Sequence, residues 1–157
     1  MLVKDVMIRD AVTVTRSTNL RELLDIFTKF HTSPLLPVVD NNRVFLGAIT
    51  LKNVIEPFCS IPSHMMRTVK YASGGGFMIN ELQYINIPPD SATLFLVDDL
   101  YSKKIITVQE DDTISSAEQT MDLNRIGTLP VLKGPVFSGM LTKFDIVIGI
   151  LKEKGII

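Results

Sequence analysis

Two copies of a polar motif stand out as residues whose types and spacing could bind a ligand. Thr50 is followed three residues later by Asn53, and Thr142 by Asp145, each pair after a Gly-x-x step. A helix is expected to begin at each threonine, and the free N–H groups of a helix N-terminus favour an anion. Thr142 could donate its hydroxyl to a phosphate oxygen, Lys143 could add a positive charge, and Asp145 could accept hydrogen bonds from both hydroxyls of a ribose.

The same spacing also has a purely structural interpretation. Thr142-x-x-Asp145 is close to a capping box, in which each side chain satisfies the other residue's backbone N–H. Capping and binding are compatible, because a capping threonine can still face a ligand. Gly139, which opens the second motif, would let a ligand approach the backbone closely. The spacing alone leaves both interpretations open.

No pattern typical of catalysis accompanies these motifs. The sequence has no nucleophile elbow and no Walker loop. Cys59 is the only cysteine, and with only His31 and His64 beside it a structural zinc site is not expected. Arg125 either reaches a phosphate or acts as a cation at a helix C-terminus. We therefore expect no enzymatic activity, no metal and no required cofactor.

The motifs belong to a unit that occurs twice. The matched segments are 3–7 with 97–101, 12–14 with 106–108, 36–38 with 129–131 and 44–50 with 136–142. They keep their order, and the offset between copies drifts only from 94 to 92 residues. Fixed order at a near-constant offset predicts a duplicated unit.

Each unit is predicted to fold as β-α-β-β-α, which gives a mixed α+β protein. Leu20, Leu23, Leu24 and Phe27 have helical spacing, and Thr18 or Asn19 is the expected N-cap. Strands are predicted over 12–14, 36–39 and 44–49, with a turn at 40–42 and a helix from Thr50. The second copy predicts strands over 105–108, 129–132 and 136–141, and helices over 114–124 and 143–152.

The stretch between the copies is too apolar for a flexible linker. We divide the chain into a first repeat over 1–56, an ordered insertion over 57–96 and a second repeat over 97–157. Within the insertion, Met65, Val69 and Ala72 have helical spacing, and the glycines at 74–76 form a turn or a hinge. After Pro88-Pro89-Asp90, one helix is predicted to place Leu94, Val97 and Tyr101 on a shared face.

Composition excludes several classes of protein. A net charge of −1 gives no basic face for nucleic acid, and no apolar run is long enough to span a membrane. Lys4 and Asp5 interrupt any signal-peptide core, so a cytoplasmic location is expected. An apolar fraction of 46% is high for a lone monomer and indicates a subunit contact, such as that of a homodimer.

On these residues the chain resembles a CBS domain pair, also called a Bateman module. The resemblance covers about 3–56 and 97–151. It rests on Val3-Lys4-Asp5-Val6-Met7, Leu36-Pro37-Val38-Val39-Asp40, Gly47-x-x-Thr50-x-x-Asn53, Leu129-Pro130-Val131 and Gly139-Met140-Leu141-Thr142-Lys143-Phe144-Asp145. It implies two repeats related by a pseudo-twofold axis, with two clefts that bind adenosine derivatives such as AMP, ADP, ATP or S-adenosylmethionine, and often a disc-shaped dimer.

The resemblance also implies where a ligand would bind. Thr142 and Asp145 would hold phosphate and ribose, with Ile106, Thr107 and Pro130 near the adenine. The equivalent site, built from Thr50, Asn53, Thr13 and Pro37, has Asn53 where the family usually has aspartate. An uncharged amide with one acceptor oxygen should hold a ribose diol less well, so the site around Asp145 is expected to be the stronger.

These observations favour a regulatory module that senses an adenine nucleotide or related adenosyl ligand and passes the signal to a partner protein. Sequence reasoning names neither the ligand nor that partner. The alternative is a ligand-free module that only dimerises or docks onto another protein, which the high apolar content favours.

Overall fold

The computed structural model describes residues 1–29, 35–58 and 86–157. Its first part contains α1 (Val3–Val6), α2 (Leu20–Lys29), β1 (Leu35–Val39), β2 (Phe45–Thr50), α3 (Leu51–Ile55) and a 3-10 turn (Glu56–Phe58). The rest contains α4 (Ser91–Leu94), α5 (Val97–Leu100), β3 (Val108–Gln109), α6 (Ile114–Asn124), β4 (Thr128–Lys133), β5 (Val136–Thr142) and α7 (Lys143–Glu153). The helix predicted near Met65 and the residues His31, Cys59 and His64 lie outside the described residues.

The chain divides into two compact units, and each unit draws segments from both sequence repeats. Unit I comprises Met1–Thr13, Pro37–Gly47 and Lys103–Ile157. Unit II comprises Val14–Leu36 and Ala48–Ser102. The first residues of the first repeat therefore belong to the unit that holds most of the second repeat.

Unit I is built on the sheet β3-β4-β5. β3 runs parallel to β4, and β4 runs antiparallel to β5, with Thr128 opposite Thr142 and a bulge at Val131/Leu132. Most residues of β4 and β5 are buried, including a run of consecutive residues in each strand, as expected for strands covered by helices. Its core consists of Val3, Met7, Val108, Ala117, Met121, Leu129, Val131, Leu141 and Ile146. Val3 and Met7, from α1 and the residue after it, thus complete a core that the second repeat supplies.

Backbone hydrogen bonds fix the N-terminal segment in unit I. Val3 N donates to Asp112 O at 2.9 Å, and Lys4 N donates to Glu110 O at 2.9 Å. Ile8 and Met140 then form an antiparallel bridge, with N–O distances of 2.8 and 2.9 Å. Residues 3–8 are therefore held at one end by the loop that follows β3 and at the other end by β5.

Unit II contains the same bonds between the equivalent residues of the other copies. Val97 N donates to Thr18 O at 2.8 Å, and Asp98 N donates to Arg16 O at 3.1 Å. Ala48 and Ser102 form the bridge that corresponds to Met140 and Ile8. This one-to-one match in hydrogen bonding confirms that the repeat seen in the sequence is a structural repeat.

Most predicted elements are confirmed, and caps define their ends. The helix predicted over 114–124 is α6, and the helix predicted from 143 is α7. Asn19, one of the two residues proposed as N-cap of α2, accepts a hydrogen bond from Glu22 N at 2.9 Å. In the β1–β2 turn, Asp40 Oδ1 accepts from the N–H groups of Asn42 and Val44 at 2.8 and 2.9 Å.

Two kinds of prediction are wrong. The strand predicted over 12–14 is reduced to a single bridge residue, Val14, and the strand predicted over 105–108 is reduced to Val108–Gln109. The single helix predicted through Leu94 and Val97 is two helices separated by extended residues. The helix breaks here because the Val97 N–H donates to Thr18 O and not to the preceding helical turn. Leu94 is 74% exposed while Val97 is fully buried, so the two residues do not share a face.

Within the described ranges, no helix is long and apolar enough to cross a lipid bilayer.

Candidate functional site

The second polar motif forms a closed turn where β5 runs into α7. Thr142 has extended backbone angles (φ −114°, ψ 162°), and its Oγ1 accepts a hydrogen bond from Asp145 N at 3.2 Å. Asp145 Oδ2 accepts from Thr142 N at 2.8 Å and from Thr142 Oγ1 at 2.6 Å. The capping-box interpretation is thus confirmed. One carboxylate oxygen of Asp145, Oδ1, is left without a donor from the described residues.

Lys143 faces a carboxylate. Its ammonium donates to Asp122 Oδ1 on α6, and its backbone N–H donates to Gly127 O at 3.1 Å. Both Lys143 and Asp122 are about half exposed, so this pair adds little stability but fixes where the positive charge lies. The predicted contact between Lys143 and a phosphate would compete with this ion pair.

A groove of about 330 Å³ opens beside Asp145, between α1 and α7 in unit I. Apolar side chains and a glycine form most of its wall, and three charged side chains complete it. The lining residues are Asp5, Val6, Met7, Phe144, Asp145, Ile148, Gly149 and Lys152. Its volume falls at the small end of the range for small-molecule sites, roughly 300–1,000 Å³.

Sequence reasoning missed the contribution of Asp5, Val6 and Met7 to this groove. These residues are separated from Asp145 by most of the chain, and only the packing of α1 against α7 brings them together. The signal that could have found them is the repeat itself, because both copies begin with the same segment.

Gly139 has a structural role that differs from the one suggested by the sequence. A Cβ at this position would lie 2.5 Å from Ile8 O and 3.3 Å from Met7 Sδ. The space over Gly139 is therefore filled by the backbone of the N-terminal segment, which approaches to form the Ile8–Met140 bridge. The expectation that Gly139 makes room for a ligand is wrong.

The other residues predicted for the stronger site are also in unit I, but they do not line the groove. Ile106 is 39% exposed, and Thr107 is partly buried. Pro130 is buried in β4, directly opposite Met140. The groove beside Asp145 and the side chains predicted to wall an adenine are thus distinct parts of the same unit.

The first polar motif forms the same capping box at the start of α3. Thr50 Oγ1 accepts from Asn53 N at 3.3 Å, and Asn53 Oδ1 accepts from Thr50 N at 3.0 Å and from Thr50 Oγ1 at 2.9 Å. A backbone N–H can only donate, so the bond from Thr50 N fixes the amide orientation. The two motifs therefore present opposite groups: an NH₂ donor on Asn53 and a carboxylate acceptor on Asp145.

The residues predicted for the weaker site fall in different units. Thr50 and Asn53 belong to unit II, whereas Thr13 and Pro37 belong to unit I. Pro37 is fully buried in β1, and Thr13 is partly exposed.

Unit I also contains two carboxylates, Glu110 and Asp111, that are paired with side chains outside the candidate site. Glu110 is 8% exposed, accepts a hydrogen bond from Ser138 Oγ at 2.8 Å and pairs with Lys133 at 3.3 Å. The Ser138 bond, followed by Lys133, lowers the pKa of Glu110. Lys4 and Asp111 pair at 2.7 Å, which lowers the pKa of Asp111 and raises that of Lys4. The Lys4–Asp111 pair links α1 to the β3–α6 loop, whereas Glu110 links that loop to Lys133 on β4 and Ser138 on β5.

The family whose model matches the chain is the CBS domain, with matches to residues 3–58 and 97–152. Together these two matches cover well over half of the chain, so the chain belongs to the CBS domain family. The two matched segments correspond to the two copies identified from the sequence.

Solved structures share the fold of the whole chain. A hypothetical conserved protein from Geobacillus kaustophilus is 18% identical with a TM-score of 0.71, over 98% of both chains. The protein CBSX2, solved in complex with AMP, is 18% identical with a TM-score of 0.67, again over 98% of both chains. The CBS domain pair of protein MJ0100, in complex with 5′-methylthioadenosine and S-adenosyl-L-methionine, is 18% identical over 98% of both chains, with a TM-score of 0.62. At these identities the comparison establishes a CBS domain pair fold.

Proposed function

We propose that this chain is a regulatory module that senses an adenosyl ligand (AMP, ADP, ATP or S-adenosylmethionine) and catalyses no reaction. CBS domain pair proteins are generally regulatory. The observation that carries the proposal is the position of Asp145, which lines a groove and keeps one carboxylate oxygen available to a ligand. Fold relatives with bound AMP, S-adenosylmethionine and methylthioadenosine support the choice of ligand.

Asp145 is assigned to the ribose of that ligand. Its Oδ1 accepts hydrogen bonds from the ribose hydroxyls, while Oδ2 keeps the turn closed through Thr142. Hydrogen bonds to a charged group contribute roughly 1.5–3 kcal/mol each, so this contact is a large part of the affinity of a small ligand. Ile106, Thr107 and Pro130 are proposed to wall the adenine on the family resemblance alone; they lie in unit I but outside the groove, so the adenine is not assigned to the groove itself.

The site that contains Thr50, Asn53, Thr13 and Pro37 is proposed to be weaker. Asn53 already uses its only acceptor oxygen twice, so it offers a ribose hydroxyl no acceptor. A ribose hydroxyl can still accept from the Asn53 amide, but that bond carries no charge assistance.

Binding is proposed to change the angle or the rigidity of the pair of repeats, and a partner protein or channel would respond to that change. By linkage, the partner must alter ligand affinity by the same factor as the ligand alters partner affinity. We further propose a homodimer in the cytoplasm, with repeat boundaries at 1–56 and 97–157 on either side of the 57–96 insertion.

The test is a calorimetric titration of the full chain with AMP, ADP, ATP and S-adenosylmethionine. Two exchanged variants provide matched controls: Asp145→Asn gives the second motif the chemistry of the first, and Asn53→Asp does the reverse. Asp145→Asn should weaken binding roughly tenfold or more, and Asn53→Asp should strengthen the weaker site, because one charge-assisted bond is lost or gained. Both capping boxes survive these changes. If no ligand binds at up to about 1 mM, where binding free energies fall to about 4 kcal/mol, the proposal is wrong.

A second candidate function is a ligand-free dimerisation or docking module. Exposed apolar side chains on α6 and α7 favour it: Leu123 is 77% exposed, Phe144 70% and Val147 52%. Protein purified without bound adenine, as judged by ultraviolet absorbance, together with a tight dimer in ultracentrifugation and no ligand binding, would favour this function over the first.

A further inference from the structure

We propose that opposite charges select which N-terminal segment packs on which loop, and that Lys4 and Asp111 make this selection in unit I. The two residues lie 107 positions apart, so the sequence of the segment by itself does not show which loop it selects. The three residues that directly follow Lys4 line the groove beside Asp145, so the selection also determines that wall of the groove. It is a property of the chain without a ligand, and it stands independently of the proposed function.

The two loops that receive the segments have opposite charge. In unit I the receiving loop is Glu110-Asp111-Asp112, called the acidic loop, whose first residue accepts from Lys4 N at 2.9 Å. In unit II it is Arg16-Ser17-Thr18, called the basic loop, whose first residue accepts from Asp98 N at 3.1 Å. Loops and segments correspond at the same offset of 94 positions. The backbone contacts are therefore equivalent, whereas the charges are reversed.

Each segment carries the charge opposite to that of the loop that receives it. Lys4 Nζ donates to Asp111 Oδ1 at 2.7 Å, with side chains that are 40% and 70% exposed. Asp98 and Arg16 are both exposed and are adjacent through their backbone hydrogen bond, so opposite charges also lie side by side there. Exchange of the segments would place a carboxylate beside the acidic loop and an ammonium beside Arg16. Selection thus comes from repulsion in the wrong arrangement as well as from attraction in the observed one.

The neighbouring residues of the two segments are alike. Val3 and Val97 occupy the same place and are both fully buried. Asp5 and Asp99 each accept from the backbone N–H three residues earlier, at 2.8 and 3.0 Å. The position between these matched residues is the one that changes from basic to acidic, so it supplies the difference in charge between the segments.

Two disulfide traps report the docking of each segment separately. Leu2 and Thr113 form a bridge in unit I, and Asn19 and Leu96 form the same bridge in unit II. In both bridges the hydrogen bonds are made by the flanking residues, which is the pairing that brings Cβ atoms closest and suits a disulfide. Trap I is Leu2→Cys with Thr113→Cys, and trap II is Asn19→Cys with Leu96→Cys, both in the full chain with Cys59→Ser. The measurement is the rate of disulfide formation within one chain in a glutathione buffer.

The charge variants are compared within each trap. Lys4→Asp should slow trap I by roughly threefold or more and leave trap II unchanged, and Asp98→Lys should do the reverse. Lys4→Met should slow trap I less than Lys4→Asp does, because it removes the attraction without adding a repulsion. Adding Asp111→Lys to Lys4→Asp should restore most of the rate. Each difference should shrink in 1 M NaCl, because salt screens exposed charges.

Three results would overturn the proposal. The first is an unchanged rate of trap I in Lys4→Asp. The second is equal slowing by Lys4→Met and Lys4→Asp, since a loop that selects by charge must repel the wrong one. The third is slowing of both traps by either charge variant, which would indicate a general loss of stability and no selection.

Discussion

Replacing Gly149 by alanine should reveal how closely α1 packs on α7. A Cβ at this position would lie 2.3 Å from Val6 Cγ1 and 3.2 Å from Met1 Sδ. Carbon atoms pack best at roughly 3.5–4.0 Å, so the first contact is more than 1 Å too short. Because a valine side chain is stiff at χ1, α1 must shift to relieve the overlap.

Two opposing effects determine the size of the change. Overpacking of a close contact costs roughly 1–3 kcal/mol. Alanine in place of glycine inside a helix returns about 1 kcal/mol. We therefore expect Gly149→Ala to lower the free energy of unfolding by about 1 kcal/mol, which is the cost of overpacking less the gain in helix propensity.

The decisive measurement is a double-mutant cycle with Val6→Ala, followed by urea denaturation. Once the Val6 methyl groups are absent, the overlap is largely removed and Gly149→Ala should become neutral or stabilising. The expected coupling is about 1–2 kcal/mol, within the range seen for residues in contact. Gly127→Ala is the control, because a Cβ there meets nothing within 4 Å. Equal effects of Gly149→Ala in both backgrounds would refute the packing of α1 on α7.

Three further changes test other parts of unit I. Gly139→Ala should lower the free energy of unfolding of the ligand-free chain by roughly 2 kcal/mol in urea denaturation, because the new Cβ meets the backbone oxygen of Ile8; an unchanged midpoint would contradict this. The pKa of Glu110 is lowered in the folded state from its usual 4.5, so its contribution to stability is complete above pH 4.5 and is lost as pH falls through the folded pKa. Glu110→Gln should therefore flatten the decline of the urea midpoint below that pH, and an identical decline in both chains would show that Ser138 does not stabilise the carboxylate. Thr142→Ala should cost about 1 kcal/mol from loss of the cap, measured by thermal or urea unfolding, whereas Thr142→Ser should cost little.

Elements with a long hydrophobic period and clear caps could be predicted from the sequence. Helix α6 begins after Thr113, whose Oγ1 accepts from Ser116 N at 3.2 Å, and α7 begins after Thr142. Such caps are local, so nearby residues suffice to place them. The strand predicted over 12–14 was wrong because three β-branched residues cannot distinguish a strand from an extended connection.

The exchange of the N-terminal segment between units could not be predicted, because it depends on contacts between residues that are far apart in the chain. Nothing in the local pattern of residues 3–8 distinguishes packing on their own repeat from packing on the other. Gly139 and Gly149 make the observed packing possible, because a Cβ at either position would overlap the N-terminal segment. A glycine in a strand or helix indicates that another segment packs closely against it, but the sequence does not show which segment this is.

For the candidate site, the sequence predicted which residues take part, but it could not predict which of their atoms remain outside the helix cap. The spacing of Thr142 and Asp145 predicted both a cap and a binding residue, and it could not say which oxygen the cap would use. The structure commits Oδ2 of Asp145 to the cap, and the equivalent bonds at Asn53 commit the amide oxygen. One substitution between the copies thus leaves a carboxylate oxygen outside the cap at Asp145 and an NH₂ donor outside the cap at Asn53, although the two caps have the same hydrogen bonds.

The groove beside Asp145 is lined by residues of both repeats. Its walls come from α7 of the second repeat and from Asp5, Val6 and Met7 of the first repeat. A ligand that contacts both walls stabilises the docking of α1 on α7, by an amount that grows with the logarithm of its affinity, because it binds the docked arrangement and not the separated one. Residues 7–13 follow α1 directly and lead to Val14, where unit II begins. A ligand in the groove would therefore also hold in place the segment that leads from α1 to the start of unit II.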